Sequence, residues 1–506
     1  MKKEQVKNSG ILIFSNLLIN LSNFLRQVIM AYFLGVSAHV DLLLLSMIVP
    51  TIIQAMIGGG AGEILVIKRN KPGFREGSFE AIFIVVCIVP VVLLGAMYFF
   101  FLNQITPFFN IDPGETFLFR NLSIIFLVNM IPGTFISILR PHFYSKGMYG
   151  FYARGTIFSQ FAGLALILVL IKSFGIYSIA LSYLASNMLN AFWFSFRTGL
   201  PIGDILRAEV WKHEMSQLYM MLKRVFSLGF QTFINYFATF WERSLSVKYL
   251  SAGYLSSLNY SKTLSEIPNA VLLSSVLTTS YIEQVRLNKQ DQEAFATYTA
   301  RTLKFIIKAG FLFQILMLAF APLIIILVYR RGKFDNNAVV TALTIFNILT
   351  ISFLPKLIMS FFSRTMYILG EYRRLLLGII LKFIVQMGIM LGLIGSFNHA
   401  IPTAIAVSFL FISVLLYFYV SRRLALPKLG KFIFGIIAIS LLSSVLLWIH
   451  TITLPLYIEL SNIKLFLLSV PFIFISVIIV LVFLKRNGVE IKYLKELKWP
   501  LQRRQK

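Results

Sequence analysis

The stretch SNFLRQVIMAYFLGVSAHVDLLLLSMIVP, residues 22–50, decides how this chain is read. It joins two apolar runs through a short connection at Gly35, and its formally charged residues are Arg26 and Asp41. Extended to 11–34 and 41–67, each run is long enough to cross a bilayer, which takes ~20 mostly apolar residues. A charge near the bilayer centre costs about 2.5–3.5 kcal/mol or more, so it normally faces a cavity or a partner. Pro50 falls inside the second run, where its ring and missing N–H kink a helix.

A second stretch repeats the arrangement. WERSLSVKYLSAGYLSSLNYSKTLSEIP, residues 241–268, carries Arg243, then Gly253, then Pro268. Gly253 precedes Pro268 by the same fifteen residues that separate Gly35 from Pro50. Each stretch opens one half of the chain, so the expectation is a parallel repeat with its axis along the membrane normal.

Outward from these stretches, apolar runs predict further spans at 79–103, 121–140, 153–172, 175–196, 225–247, 257–282, 302–328, 336–363, 375–395, 401–421, 431–450 and 464–484. The predicted fold class is an all-α polytopic membrane protein of about 14 transmembrane helices, with two six-helix lobes and two further C-terminal helices. The lobes are expected at 1–200 and 225–422. Residues 201–224, which include KHEMSQLYMMLKR, are expected as an amphipathic linker helix along the cytoplasmic surface. Residues 423–506 are expected to hold the last two helices and a basic tail. The first run reads as a retained helix, since it is too long for a signal peptide and no small-residue cleavage site follows. Lys and Arg concentrate in alternate connections, which predicts a multi-pass protein with both termini in the cytoplasm.

Composition agrees with a membrane protein. Of 506 residues, 58% are hydrophobic and 13% charged, against about 45–50% and 25% in soluble domains. The net charge of +27 is spread over the connections rather than gathered in a patch, which argues against nucleic acid. The single cysteine, Cys87, allows no internal disulfide, and the five scattered histidines show no metal spacing. No phosphate-binding loop and no nucleophile–base pattern is present, so neither an ATP-driven pump nor an enzyme is expected, and no catalytic residue or cofactor is assigned.

The charges expected within the membrane are Arg26, Asp41, Glu63, Glu242, Arg243, Lys262, Glu266 and Lys356. Most lie on the first two helices of each half. The functional reading is a mainly cationic cavity between the halves, in which Arg26 and Arg243 hold an anionic head group. The other reading is that each charge snorkels to an interface. Asp41 also fits a helix cap, Lys262 and Glu266 fit an i,i+4 pair, and Glu242 is expected to point elsewhere than Arg243. Gly35, Pro50, Gly253 and Pro268, with the run Gly58–Gly60, fit hinges or static kinks.

These residues resemble a known family. Arg26, Gly35, Asp41 and Pro50 occupy the places of the opening signature of the lipid II flippase family (MurJ, also called MviN). Tyr260, Leu264 and Pro268 resemble its eighth-helix signature, and RRGKFD at 330–335 resembles a further family pattern. The resemblance implies a two-lobed bundle that alternates its access and moves a polyprenyl-diphosphate-linked saccharide across a bacterial cytoplasmic membrane. It implies a central site containing Arg26, Asp41, Arg243, Tyr260, Lys262 and Glu266, and a monomer whose partners are that substrate and membrane lipids. Movement is expected to draw on the membrane potential or an ion gradient. Where family members often carry arginine, this chain has Asn20, Gln54 and Thr263. Another lipid-linked oligosaccharide therefore remains a second reading, and a cation-coupled small-molecule exporter a third.

Overall fold

The structure is a computed structural model that describes residues 2–69, 78–198, 208–272 and 277–424. The first half comprises α1 (Lys2–Leu34), α2 (Ala38–Ser46), α3 (Ile48–Arg69), α4 (Ser78–Phe100), the short α5 (Leu102–Ile105), α6 (Thr116–Ser145), α7 (Tyr149–Phe174) and α8 (Tyr177–Thr198). The second comprises α9 (Ala208–Tyr249), α10 (Tyr254–Leu272), α11 (Thr278–Gln290), α12 (Gln292–Ala319), α13 (Ala321–Tyr329), α14 (Asn336–Ile351), α15 (Phe353–Ile368), α16 (Tyr372–Leu393) and α17 (Ala400–Ser421). No strand occurs among the described residues.

Every predicted span up to 401–421 falls on one of these helices or on a broken pair. The spans expected at 431–450 and 464–484 lie outside the described residues. Among the described residues, eight helices are long and apolar enough to cross a membrane, or nine if α14 and α15, bent by 41°, form one span. The chain is thus an all-helical, multi-pass membrane protein. Helix α8 misses that apolar standard for a physical reason. Its buried face repeats small polar residues every four positions, Ser178, Ser182, Ser186 and Asn190, before Phe194. These pack on α7, where Gly163 lies directly against the Ser186 side chain. Small residues let helix backbones approach where no hydrophobic force drives them together.

One expectation changes. The linker is not a separate surface helix, because residues 208–224 are the first part of α9, which runs unbroken for 42 residues. Leu218, Met221 and Val225 keep an i, i+3, i+7 stripe that is buried against apolar residues of the first half, including Ile53 and Ile57. The stripe stays in phase with the membrane part of α9, so the helix continues and its apolar face meets protein. The two prolines sit differently in their helices. The second span breaks at Met47, and Pro50 sits in the first turn of α3, where an absent N–H breaks no bond. Pro268 is carried inside α10. The glycine run is helical, and Gly58 lies against Ser137 of α6 as a close packing point.

The halves meet along α9, which packs on α3, and at the end where α1 and α2 join. At that end, α1 and α2 pack on α10, and α1 on α13. Some 20 residues further down α9, roughly 30 Å at 1.5 Å per residue, Gly229 lies directly against the Met56 carbonyl of α3. A larger residue at Gly229 would push the helices apart there.

Candidate functional site

The end where α1 joins α2 is held by backbone groups that the two repeats expose to each other. Gly35 ends α1 with φ +65°, and Gly253 precedes α10 with φ +88°. A side chain at Gly35 would collide with the Lys333 backbone, and one at Gly253 with Val36. Asp41 lies in the first turn of α2, yet it caps a different helix. Its Oδ2 accepts from the Gly253 N–H at 2.7 Å and its Oδ1 from the Ser256 N–H at 2.6 Å. These are the N-cap and N3 donors of α10, which a helix cannot satisfy by itself. Asp41 therefore caps no donor of its own helix and caps instead a helix of the other half.

Tyr260 is fully buried at the same level. Its hydroxyl donates to the Gly35 carbonyl at 2.9 Å, and its own carbonyl accepts from the Tyr329 hydroxyl at 3.2 Å. The RRGKFD segment folds over this junction. The Lys333 N–H donates to the Tyr32 carbonyl at 3.0 Å, Phe334 stacks on Tyr329, and Asp335 caps α14 through Ala338 at 2.8 Å. The repeat-related partner of Asp41, six residues after its glycine, is Asn259, whose amide donates to Gln27 Oε1 of α1 at 3.0 Å.

Arg26 lies deeper, 1% exposed, on α1. Its guanidinium stacks over Tyr183 of α8 at 4.0 Å. Nη2 reaches Ser186 Oγ at 3.4 Å and Gln160 Oε1 at 3.5 Å, both at the weak limit of a hydrogen bond. Nε and Nη1 have no hydrogen-bond partner among the described residues. Arg243, on α9, donates through Nη1 to the Leu44 carbonyl. Leu44 is in the last turns of α2, where the break releases carbonyls from helical bonding. Arg26 is thus held on α8 of its own half, and Arg243 reaches across from the second half to the broken end of α2.

Glu242, next to Arg243, points to the other side of α9, since successive residues on a helix lie about 100° apart. Its Oε2 accepts from Lys262 Nζ at 3.0 Å and its Oε1 from Gln386 Nε2 at 2.7 Å. Glu266 accepts from Lys356 Nζ at 2.7 Å. Lys262 and Glu266 therefore form no hydrogen-bonded pair with each other, and tie α10 to α9 and α15 instead. The Glu63 side chain lies outside the described residues.

The sequence reading misses Lys382 of α16. It is 7% exposed, and its ammonium sits 4.1 Å from the Phe409 ring centroid, with Lys356 at 5.4 Å from the same ring. Among the described residues it forms no ion pair within 4 Å. Its signal is legible: a lone lysine inside LLLGIILKFIVQMGIMLGL, residues 375–393, meets the criterion applied to Arg26. Gln160, Tyr183, Ser186 and Gln386 carry no charge and give no comparable signal.

Comparison with known proteins places this geometry in a family. Residues 204–483 match the family model described as lipid II flippase MurJ. No curated protein matches. Among solved structures, the fold is similar to lipid II flippase MurJ in an inward closed conformation, with TM-score 0.72, 17% identity, and coverage of 95% of this chain and 99% of that one. It is also similar to an inward-facing multidrug resistance MATE family transporter of the MOP superfamily, with TM-score 0.64, 14% identity, and coverage of 82% and 96%. A MATE structure in complex with MaL6 gives TM-score 0.56 at 15% identity, covering 85% and 97%. At these identities the structures speak for the fold; the family model spans more than half of the sequence, and the chain belongs to the MurJ lipid II flippase family.

Proposed function

We propose that this chain is a flippase that moves a polyprenyl-diphosphate-linked saccharide, lipid II or a close relative, from the inner to the outer leaflet for cell-envelope synthesis. The observation that carries the reading is the buried Arg26, stacked on Tyr183, with two guanidinium nitrogens unpartnered among the described residues. A guanidinium fork matches phosphate oxygens in pairs, and an anion there would satisfy donors that the protein leaves open. The lobes, 1–200 and 225–422, would rock against each other as rigid units. The Gly35 end faces the outside, both termini face the cytoplasm, and the chain works as a monomer. An inside-negative potential favours outward movement of an anion by about 2.3 kcal/mol per charge per 100 mV for a full crossing. No group of this chain is assigned a catalytic role.

Outward opening must separate Asp41 from α10. A cap contributes about 0.5–2 kcal/mol, and 1.4 kcal/mol is a factor of ten in an equilibrium. Asp41→Ala is expected to raise the outward-open population by about twofold to thirtyfold, read as spin-label distances between the ends of α2 and α10. An unchanged distance distribution would show that the cap does not hold this end closed.

The substrate is tested by replacing the lipid II flippase of a depleted bacterial strain with this chain. Continued wall synthesis and growth are expected. Lysis despite normal amounts of protein in the membrane would reject lipid II and favour another lipid-linked oligosaccharide, to be sought by native mass spectrometry of co-purified lipid. The residues that favour this second reading are Asn20, which is exposed on α1, Gln54, whose side-chain amide packs against Gly133, and Thr263 on α10.

A further inference from the structure

Lys382, midway along α16, has no part in the anion site built around Arg26. It is 7% exposed, and its Nζ lies 4.1 Å from the Phe409 ring centroid of α17. Among the described residues, no carboxylate pairs with it within 4 Å. The charged groups that face it are Glu242 on α9, Lys262 on α10 and Lys356 on α15. Arg243 and Glu266 stand behind them and act on Lys262. From α17 come Ser408 and Phe409, which carry no charge. The side chains of Glu266 and Lys356 are 46% and 26% exposed, and charges at this depth open onto water rather than lipid. Lys382 lies one ring further in, with Lys356 at 5.4 Å from the same Phe409 centroid.

The carboxylate that could balance Lys382 is already in use. Lys262 holds Glu242 Oε2, and the Gln386 amide holds Oε1. Gln386 follows Lys382 by four residues, on the same buried face of α16. An ammonium at Lys382 therefore competes with that amide for Glu242 Oε1, and a charged donor makes the stronger bond. A proton on Lys382 meets an aromatic face in one arrangement and a carboxylate in the other. The two arrangements thus differ in their affinity for it, which is what a ligand needs to shift an equilibrium. Glu242 also sits where a shift is felt by both halves. Its neighbour Arg243 donates to the Leu44 carbonyl of α2, and Lys262 belongs to the helix that Asp41 caps. Drawing Glu242 toward Lys382 weakens its hold on Lys262 and loosens α10 from α9.

We propose that Lys382 is a proton-binding site whose occupancy biases the two lobes. Protonation favours opening of the Asp41 end, and release favours the closed arrangement. The step is a proton transfer alone. An N–H bond forms on Nζ as an O–H bond of a hydronium ion entering past Glu266 and Lys356 breaks, and release reverses it. The proposal rests on the rocking of the lobes and not on the identity of what they carry.

The test is the spin-label distance between the ends of α2 and α10, followed for the full chain in nanodiscs over about pH 6 to 9. Wild type is expected to move toward the longer distance as pH falls, by up to about tenfold in population ratio per pH unit for one proton. Lys382→Met, which keeps an unbranched stem without the charge, should lose that dependence and hold the shorter distance. Lys382→Arg, charged throughout this range, should lose it and hold the longer distance. A wild-type ratio that ignores pH, or a Lys382→Met ratio that follows pH as wild type does, would overturn the proposal. Each variant is compared with wild type separately, so one folded variant suffices. Flipping of a lipid-linked substrate is read on the same proteins. Absent flipping with the pH response intact counts against the flippase and supports the proton site; flipping without a pH response removes the proton site alone.

Discussion

Arg26→Gln is expected to reduce transport of a diphosphate-linked lipid by about a hundredfold or more while leaving the protein as stable as before, or more so. In most buried arginines these effects move together; here the geometry separates them. The bonds from Arg26 to Ser186 and Gln160, at 3.4 and 3.5 Å, contribute little to folding. Against them stands the desolvation of a guanidinium whose Nε and Nη1 have no partner among the described residues. Exchanging such a charge for a neutral side chain is often neutral or stabilising. The stack on Tyr183 at 4.0 Å is the main favourable interaction that the substitution removes, worth about 0.5–2 kcal/mol. For a bound diphosphate, the loss is two charge-assisted bonds at about 1.5–3 kcal/mol each, hence about two to four orders of magnitude in affinity. Arg26→Lys should fall between, since an ammonium keeps the charge but not the fork. The measurements are the melting temperature in detergent and the accessibility of labelled lipid-linked substrate in the outer leaflet. Normal flipping by a stable Arg26→Gln protein would remove Arg26 from the site.

The same residue shows how far the sequence can be read. A charge inside an apolar run is conspicuous, because the bilayer makes it costly, and Arg26, Arg243, Lys262 and Glu266 all stand out that way. Their directions are not legible, because direction depends on which helix lies opposite. Arg26 faces α7 and α8 of its own half rather than the other half, and Asp41 caps a helix 212 positions away in sequence. The helices are legible from hydropathy alone up to the limits of that signal. The 208–224 segment shares one hydrophobic period with α9, and a period cannot say whether its apolar face meets lipid or protein. Pro50 and Pro268 look alike in sequence, yet one follows a break and the other lies within a helix, since a freed carbonyl at Leu44 has Arg243 to receive it. Tyr260 reads as a site residue by its motif, and the structure uses its hydroxyl to hold Gly35.

Glu242→Ala is expected to be the most destabilising single substitution discussed, at about 3–5 kcal/mol. Glu242 is 5% exposed, and its two oxygens serve Lys262 and Gln386 separately. Gln386 in turn accepts from Ser408 at 3.4 Å, so one carboxylate joins α9, α10, α16 and α17. Around it are three lysines, Lys262, Lys356 and Lys382, and one further carboxylate, Glu266. Removing Glu242 leaves Lys262 without its partner and two ammonium groups about the Phe409 ring with less to balance them. The penalty comes from stranded positive charge rather than from lost bonds, and that distinction can be measured. If charge dominates, Glu242→Ala combined with Lys262→Met recovers most of the stability, because no stranded ammonium is left at Lys262. Glu242→Gln, which keeps a hydrogen-bonding side chain but no charge, then melts nearly as low as Glu242→Ala. If bonding dominates, the order reverses: the glutamine variant is close to wild type and the double variant is no better than the alanine one. Thermal unfolding of the four proteins in one detergent separates the two, and the reversed order would mean that this lobe tolerates its excess of lysine without help from Glu242.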